Sequence, residues 1–399
     1  MIFENVTICD CSGERVASVR IEEGRIAEIA EQIAGDERVD ASGKILLPAL
    51  VDTNVRLKDG RLTGRHLVDL AKAARKGGVG TVVLSPESTP AVDDAISLEF
   101  VQNQRNGCEG ARIETAIAAT IDDERFSNIA ILLKRGAVAP YMTTSISNHL
   151  AVRVAEYVKM FGGTLFCRAF DRNLSANGVM NEGAVAQRLG LVGIPALGEP
   201  VHVARMIEIA REFGIAIVFK SIASPRSIEM ISAAKREGVD VRCEVSLHHL
   251  LKSDEACEGF NTVAKLDPPL QSESDVLRLR EAFEAGAVDM LTLLHQPNSP
   301  VNKEVAFADA AYGCESISDA LPLLYTKLVA SGWISWERLI TLCVREPARS
   351  IGRDAGMIGV GTTDVVLFDP QPVRMLEDRQ SLYDGETLHG TVVKRFHNA

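Results

Sequence analysis

The residues of this chain best equipped for chemistry are cations and histidines placed where apolar runs end. Arg56 and Lys58 follow Leu46-Leu47-Pro48-Ala49-Leu50-Val51-Asp52-Thr53-Asn54-Val55, Arg168 follows Thr164-Leu165-Phe166-Cys167, and Lys220 follows Ile215-Ala216-Ile217-Val218-Phe219. If the first stretch is one strand, alternation puts Asp52, Asn54 and Arg56 on one face and Thr53, Val55 and Leu57 on the other. Brought together, the cations could hold a small anion, with Arg56, Lys58, Arg168, Lys220 and His295 as its contacts. Clustered cations are costly unless neutralised. Pairing with Asp52, Glu87, Asp171 or Glu244 is therefore the expectation, and Asp267 is a further partner. A Schiff base on Lys220 is a weaker reading that needs its pKa depressed by neighbouring cations. His248 and His249 read as packing or hydrogen-bonding residues, and His295 as a satisfied polar one. Cys167 reads as an inert buried thiol despite the adjacent Arg168.

The elements that must position these groups alternate strand and helix. Short runs with turns at Ser12-Gly13 and Glu23-Gly24 fill residues 1–45, and β-patterned segments return at Asp364–Phe368 and Gly390–Phe396. Such runs predict antiparallel strands. Between them, helices are expected over Leu62–Lys76, stopped by Gly77-Gly78, and over Asp93–Arg105, Asn148–Phe161, Pro200–Phe213 and Ser227–Glu237. Strands are expected at Thr81–Leu84, Ile113–Ala118, Ala137–Ala139, Thr164–Cys167, Ile215–Phe219, Val241–Val245 and Met290–Leu294. With the opening strand this predicts a (β/α)8 TIM barrel over residues 46–357. A small β-sandwich from both chain ends, residues 1–45 and 358–399, completes it. A doubly wound sheet is the competitor, but no Gly-rich phosphate turn follows the first strand. Barrel chemistry is expected at the C-terminal strand ends.

Composition narrows the function classes. The chain has 399 residues, 46% hydrophobic and 24% charged, with a net charge of −11. Without basic clusters, that charge argues against nucleic acid, whose binding rests on Lys and Arg neutralising phosphates. No run approaches the roughly 18 apolar residues of a membrane span. Met1-Ile2-Phe3-Glu4-Asn5 lacks a basic region followed by an apolar one, so no secretory leader is expected. The 8 cysteines show no Cys-x-x-Cys pairing. Cys9 and Cys11, two apart, suit neither a zinc site nor a mutual disulfide. Reduced thiols in a cytoplasmic protein are the expectation.

Several segments resemble the dihydroorotases and related cyclic amidohydrolases. They are Gly178-Val179-Met180-Asn181-Glu182-Gly183, Leu189-Gly190-Leu191, Gly193-Ile194-Pro195-Ala196, Leu247-His248-His249-Leu250, Asp267-Pro268-Pro269-Leu270, Ala320-Leu321-Pro322-Leu323, Glu346-Pro347-Ala348 and Gly361-Thr362-Thr363-Asp364-Val365-Val366. Each is short, but their order and spacing are specific and cover nearly the whole chain. The resemblance also implies where the family keeps its metal ligands. Its His-x-His falls on Asn54 and Arg56, its bridging carboxylate or modified lysine near Thr143, and its His-Ala-Glu on Arg168-Ala169-Phe170. Its sixth-strand histidine falls on Lys220, and its Asp-His-Ala-Pro-His on Leu294-His295-Gln296-Pro297-Asn298. Its substrate-binding Arg, Asn and last His fall on Lys58, Glu87 and Asn298, and Lys58 lacks the bidentate fork of Arg.

Opening a cyclic amide needs a nucleophile at neutral pH, which the family makes by binding water to zinc. Metal binding lowers the pKa of that water from about 15.7 to about 7, on the order of 12 kcal/mol at about 1.36 kcal/mol per unit. Zinc takes lone pairs from Cys, neutral His or carboxylate, so no zinc and no other cofactor is expected here. What the resemblance then implies is a catalytically inactive dihydroorotase-like protein, a structural or regulatory partner of aspartate carbamoyltransferase in pyrimidine biosynthesis, forming a homo- or hetero-oligomer. Two other readings stay open: an active cyclic-amide hydrolase with an unusual site, and a small-anion-binding module.

Overall fold

The computed structural model describes residues 1–105 and 110–397. Cys108, one of the scattered thiols, lies outside them, and the cysteines within them are all unpaired.

The middle of the chain is a ring of parallel strands with helices outside. The strands are Leu50–Val55, Val79–Leu84, Arg112–Thr115 continuing into Ile117–Ala118, Pro140–Thr143, Thr164–Arg168, Ala216–Phe219, Val241–Ser246 and Met290–Thr292. Their parallel ladders run from the first strand to the third, and from Ile117–Ala118 round to the last. One side chain closes the ring. Asp52 on the first strand accepts from Thr292 Oγ1 at 2.7 Å and from the Leu293 amide at 2.9 Å. The Arg56 amide donates to the His295 carbonyl at 2.8 Å beside it.

The helices form for local reasons. Gly64–Lys76 starts where Thr63 accepts from the His66 amide, and it buries Leu67, Leu70, Ala71 and Ala74 on one stripe. It stops at Gly77, where a Cβ would sit 1.9 Å from the Ile317 carbonyl oxygen. Two sequence expectations are corrected in place. The fourth strand is Pro140–Thr143 and not Ala137–Ala139, because the ladder begins beyond the turn. The stretch from Leu46 is not one strand either: Ile45–Pro48 pairs in the terminal sheet, and only Leu50–Val55 enters the barrel.

Inside the ring, Val83, Tyr141, Phe166, Val218 and Met290 pack as an apolar floor. Two residues further along each strand, the same face carries Ser85, Thr143, Arg168, Lys220 and Thr292. The barrel is therefore oily below and polar at its C-terminal mouth.

Both chain ends join a single seven-stranded mixed sheet. Its order runs Thr387–Phe396, Val365–Met375, Ile45–Pro48, Ile2–Asp10, Gly13–Glu22, Arg25–Ala30, with Arg38–Asp40 pairing beside Ile2–Asp10. Phe3, Val6, Ile8, Val19, Ile26, Val365 and Phe396 give this sheet its own core. No described helix is long and apolar enough to cross a membrane.

Arg395 ties the terminal sheet to the barrel. It is buried, pairs through Nε with Asp364, and donates to the Gly110 carbonyl at 2.9 Å and the Gly80 carbonyl at 3.2 Å. Arg395→Met would leave those carbonyls unpaired and should cost about 2–4 kcal/mol. Urea denaturation, with the midpoint and slope compared to wild type, measures it.

Candidate functional site

At the barrel mouth a buried carboxylate, Glu244, pairs with one cation, and a half-buried one, Glu87, pairs with two. Ladder register decides the first group. Val218 lies opposite Arg242, so two residues on, Lys220 lies opposite Glu244 with both side chains inward. Lys220 Nζ bonds Glu244 Oε2 and donates to Thr53 Oγ1 at 2.8 Å. Thr53 donates to Glu244 at 2.6 Å, and Asn54 Nδ2 donates to Glu244 Oε1 at 2.8 Å and to Ser221 Oγ at 2.6 Å. The Lys220 and Glu244 side chains are 2% and 0% exposed, so water does nothing to compensate them. Burial pulls the Lys220 pKa down and Glu244 partly restores it. The ammonium also lies 4.6 Å from the Phe166 ring centroid.

Thr53 and Asn54 thus both reach Glu244, although strict alternation sets them on opposite faces. The pairing register shifts between Asp52 and Val55, and that irregularity turns both inward. Asp52 pairs with no cation among the described residues. It is spent on closing the ring, and burial raises its carboxyl to about 6 against the bonds from Thr292, Leu293 and Asn54.

The second group centres on Glu87. Its Oε2 takes Arg56, the Tyr141 hydroxyl at 2.9 Å and the Ser85 hydroxyl at 3.2 Å, and its Oε1 takes Arg168 at 3.0 Å. Burial alone would raise the Glu87 carboxyl, but Arg56, Arg168 and Tyr141 together hold it at about 2. Arg56 also donates to Gln296 Oε1 at 2.8 Å. The other arm of Arg168 pairs with Asp267, and its guanidinium lies 5.0 Å from the Phe170 ring centroid.

The remaining sequence candidates stand apart from these groups. Thr143 donates to Asp123 at 3.4 Å. Lys58 points into solvent. Leu294 is buried in the left-handed region at φ 46°, its amide donating to Thr292 Oγ1 at 2.9 Å. His295 Nδ1 faces the Ser316 and Ile317 amides at 3.3 and 3.4 Å, and burial drops its pKa to about 3. His248 and His249 are taken up by Tyr383, Cys314, Ser246 and the Pro268 carbonyl. Burial lifts the Cys167 thiol well above its usual range, as an inert thiol requires. Asp171 pairs with His202 and caps the Arg172–Ser175 turn, so it neutralises none of the pocket cations.

Among the described residues, no group of three or more His, Cys, Asp or Glu side chains is gathered closely enough to hold a metal ion. A cavity of about 60 Å3 opens beside the mouth, lined by Arg168, Lys220, Asp267 and also by Asn181 and Glu199, two residues the sequence reading did not single out. Asn181 is buried and Glu199 half-buried against this space, and such packing is not visible in the chain.

Residues 43–225 match the family described as Dihydro-orotase-like. A dihydroorotase of Pelotomaculum thermopropionicum is 33% identical over 392 residues, covering 93% of this chain and 90% of that protein. A dihydroorotase-like protein of Pseudomonas aeruginosa is 31% identical over 369 residues, covering 90% and 86%. Among solved structures, the L-hydantoinase (dihydropyrimidinase) of Arthrobacter aurescens superposes with a TM-score of 0.86 at 21% identity, covering 98% of this chain and 93% of that one.

Lys220→Met should cost about 3–5 kcal/mol, because it strands the Glu244 charge, whereas the double change K220M/E244L should recover most of that loss. Urea denaturation of both variants measures the coupling. A carboxyl depressed by folding contributes stability that is complete above its ordinary value of 4.5 and lost as pH falls towards about 2. Unfolding free energies measured across that window should therefore fall more steeply in wild type than in Glu87→Gln.

Proposed function

The chain belongs to the dihydroorotase family, and from that premise we propose that its barrel does not open a cyclic amide and serves instead as a structural or regulatory partner of aspartate carbamoyltransferase. The observation that carries this reading is the paired state of the barrel mouth. Where the resemblance places metal ligands stand Asn54, Arg56, Arg168 and Lys220, each donating hydrogen bonds to Glu244, Glu87 or Asp267. Ammonium and guanidinium groups have no lone pair to give, and the Asn54 amide nitrogen is spent as a donor, so these residues do not fit a zinc donor set.

Leu294 adds to this. It holds a left-handed backbone that suits Asp or Asn better than Leu, at the place where the resemblance puts the family's catalytic aspartate. A barrel retained in full around such a mouth is what a scaffold role needs, because fold and chemistry are separable. The ion pairs count against the small-anion reading, since the cations already have their counter-charges. The names its relatives carry favour a second reading, ring hydrolysis by an unusual site.

One experiment separates them: metal analysis of the purified protein together with a dihydroorotate hydrolysis assay, and affinity purification from the native source. The expectation is far less than one zinc per chain, no turnover above background, and a carbamoyltransferase in the eluate. Chelator-sensitive turnover with stoichiometric zinc would overturn inactivity, and a repeated absence of any carbamoyltransferase would overturn the partnership.

A further inference from the structure

The cavity beside the barrel mouth has a character of its own, and it is rich in hydrogen-bond acceptors. Asn181 lines it and is 3% exposed. Its Nδ2 donates to Asp254 Oδ2 at 3.1 Å. Facing a carboxylate fixes the amide's orientation and turns Oδ1 the other way, where it has no partner among the described residues. A buried acceptor left unpaired costs about 1–3 kcal/mol, so the site is incomplete as it stands.

Two carboxylates line the same cavity with acceptor capacity left over. Asp267 uses Oδ2 for Arg168, leaving Oδ1 free among the described residues. Glu199 takes one amide per oxygen, from Ala223 and Ser224 at 3.0 Å each, and burial lifts its carboxyl to about 7 against those bonds and the nearby Ser227 hydroxyl, so a cation beside it would favour its charged form.

The charge balance agrees. The two cations on the cavity wall, Arg168 and Lys220, are already paired with Glu87, Asp267 and Glu244, and Glu199 lines the cavity with no cation paired to it among the described residues. The space, about 60 Å3, is several times the roughly 10–15 Å3 that one water requires, and it suits a head group of a few heavy atoms.

We propose that this cavity binds a small N–H-bearing cation, an ammonium or amidinium head group, held by Asn181 Oδ1, Asp267 and Glu199. Such a ligand supplies the donor that Asn181 lacks and a counter-charge for Asp267 and Glu199, while an anion would find the lining cations, Arg168 and Lys220, already paired. The assignment goes beyond the partner role and holds whether or not the mouth hydrolyses a ring.

Thermal unfolding of the full chain tests it, with acetamidinium chloride and methylammonium chloride as probes. Sodium acetate, acetamide and sodium chloride at matched ionic strength are the comparisons. A ligand selective for the folded state must raise the Tm with saturation. Acetamidinium should do so, and acetate and acetamide should not. Glu199→Gln keeps the shape and should weaken binding about tenfold, the scale of one charge-assisted hydrogen bond. Asn181→Leu should abolish the response, and if it fails to fold, Glu199→Gln decides alone. No saturable rise with either cation, an equal rise with acetate, or an undiminished response in Glu199→Gln would overturn the assignment.

Discussion

A charge shut away from water must find its opposite, and the Lys220–Glu244 pair is where this barrel meets that demand most severely. Both side chains are essentially inaccessible. Their pairing is good only because Thr53 and Asn54 supply further hydrogen bonds. Those two residues reach Glu244 because the first strand departs from regular pairing after Asp52. Asp52 itself holds the last strand to the first. Ring closure, strand irregularity and charge neutralisation are thus one connected arrangement.

Glu87 does for the two arginines what Glu244 does for the lysine, with a difference that matters. Its surroundings are partly wet, with side-chain exposures of 11% for Arg56 and 25% for Glu87. Arg56, Arg168, Tyr141 and Ser85 all converge on one carboxylate, and the second arm of Arg168 spans to Asp267. The result is a plug that joins the first strand, the loop after the second, and the fourth and fifth strands. A mouth held this way is cross-linked by its own ion pairs.

Neutralisation also reverses the sign of what is left over. Counting side chains along the chain makes the mouth look like an anion site. Once each cation is paired, Arg56 Nε is the donor left over at the mouth, and in the cavity the groups with spare valence are Asn181 Oδ1 and the carboxyl oxygens of Asp267 and Glu199. Recognition depends on unsatisfied groups, not on residue totals.

The sequence by itself determined the alternation of strands and helices, the terminal sheet and the family, because apolar periodicity, turn residues and short motif segments are local. It also identified the cations and expected them to be paired, since a cluster without counter-charge is untenable. It could not assign the partners. Arg168 takes Asp267, 99 positions away, and Asn54 takes Glu244, 190 positions away. Ring closure and ladder register alone set such separations. Alternation misplaced Thr53, because a strand irregularity leaves no mark in residue types. Asn181 and Glu199 look ordinary along the chain, and only the packed tertiary structure, by burying one acceptor without a partner beside two carboxylates, gave them a chemical role.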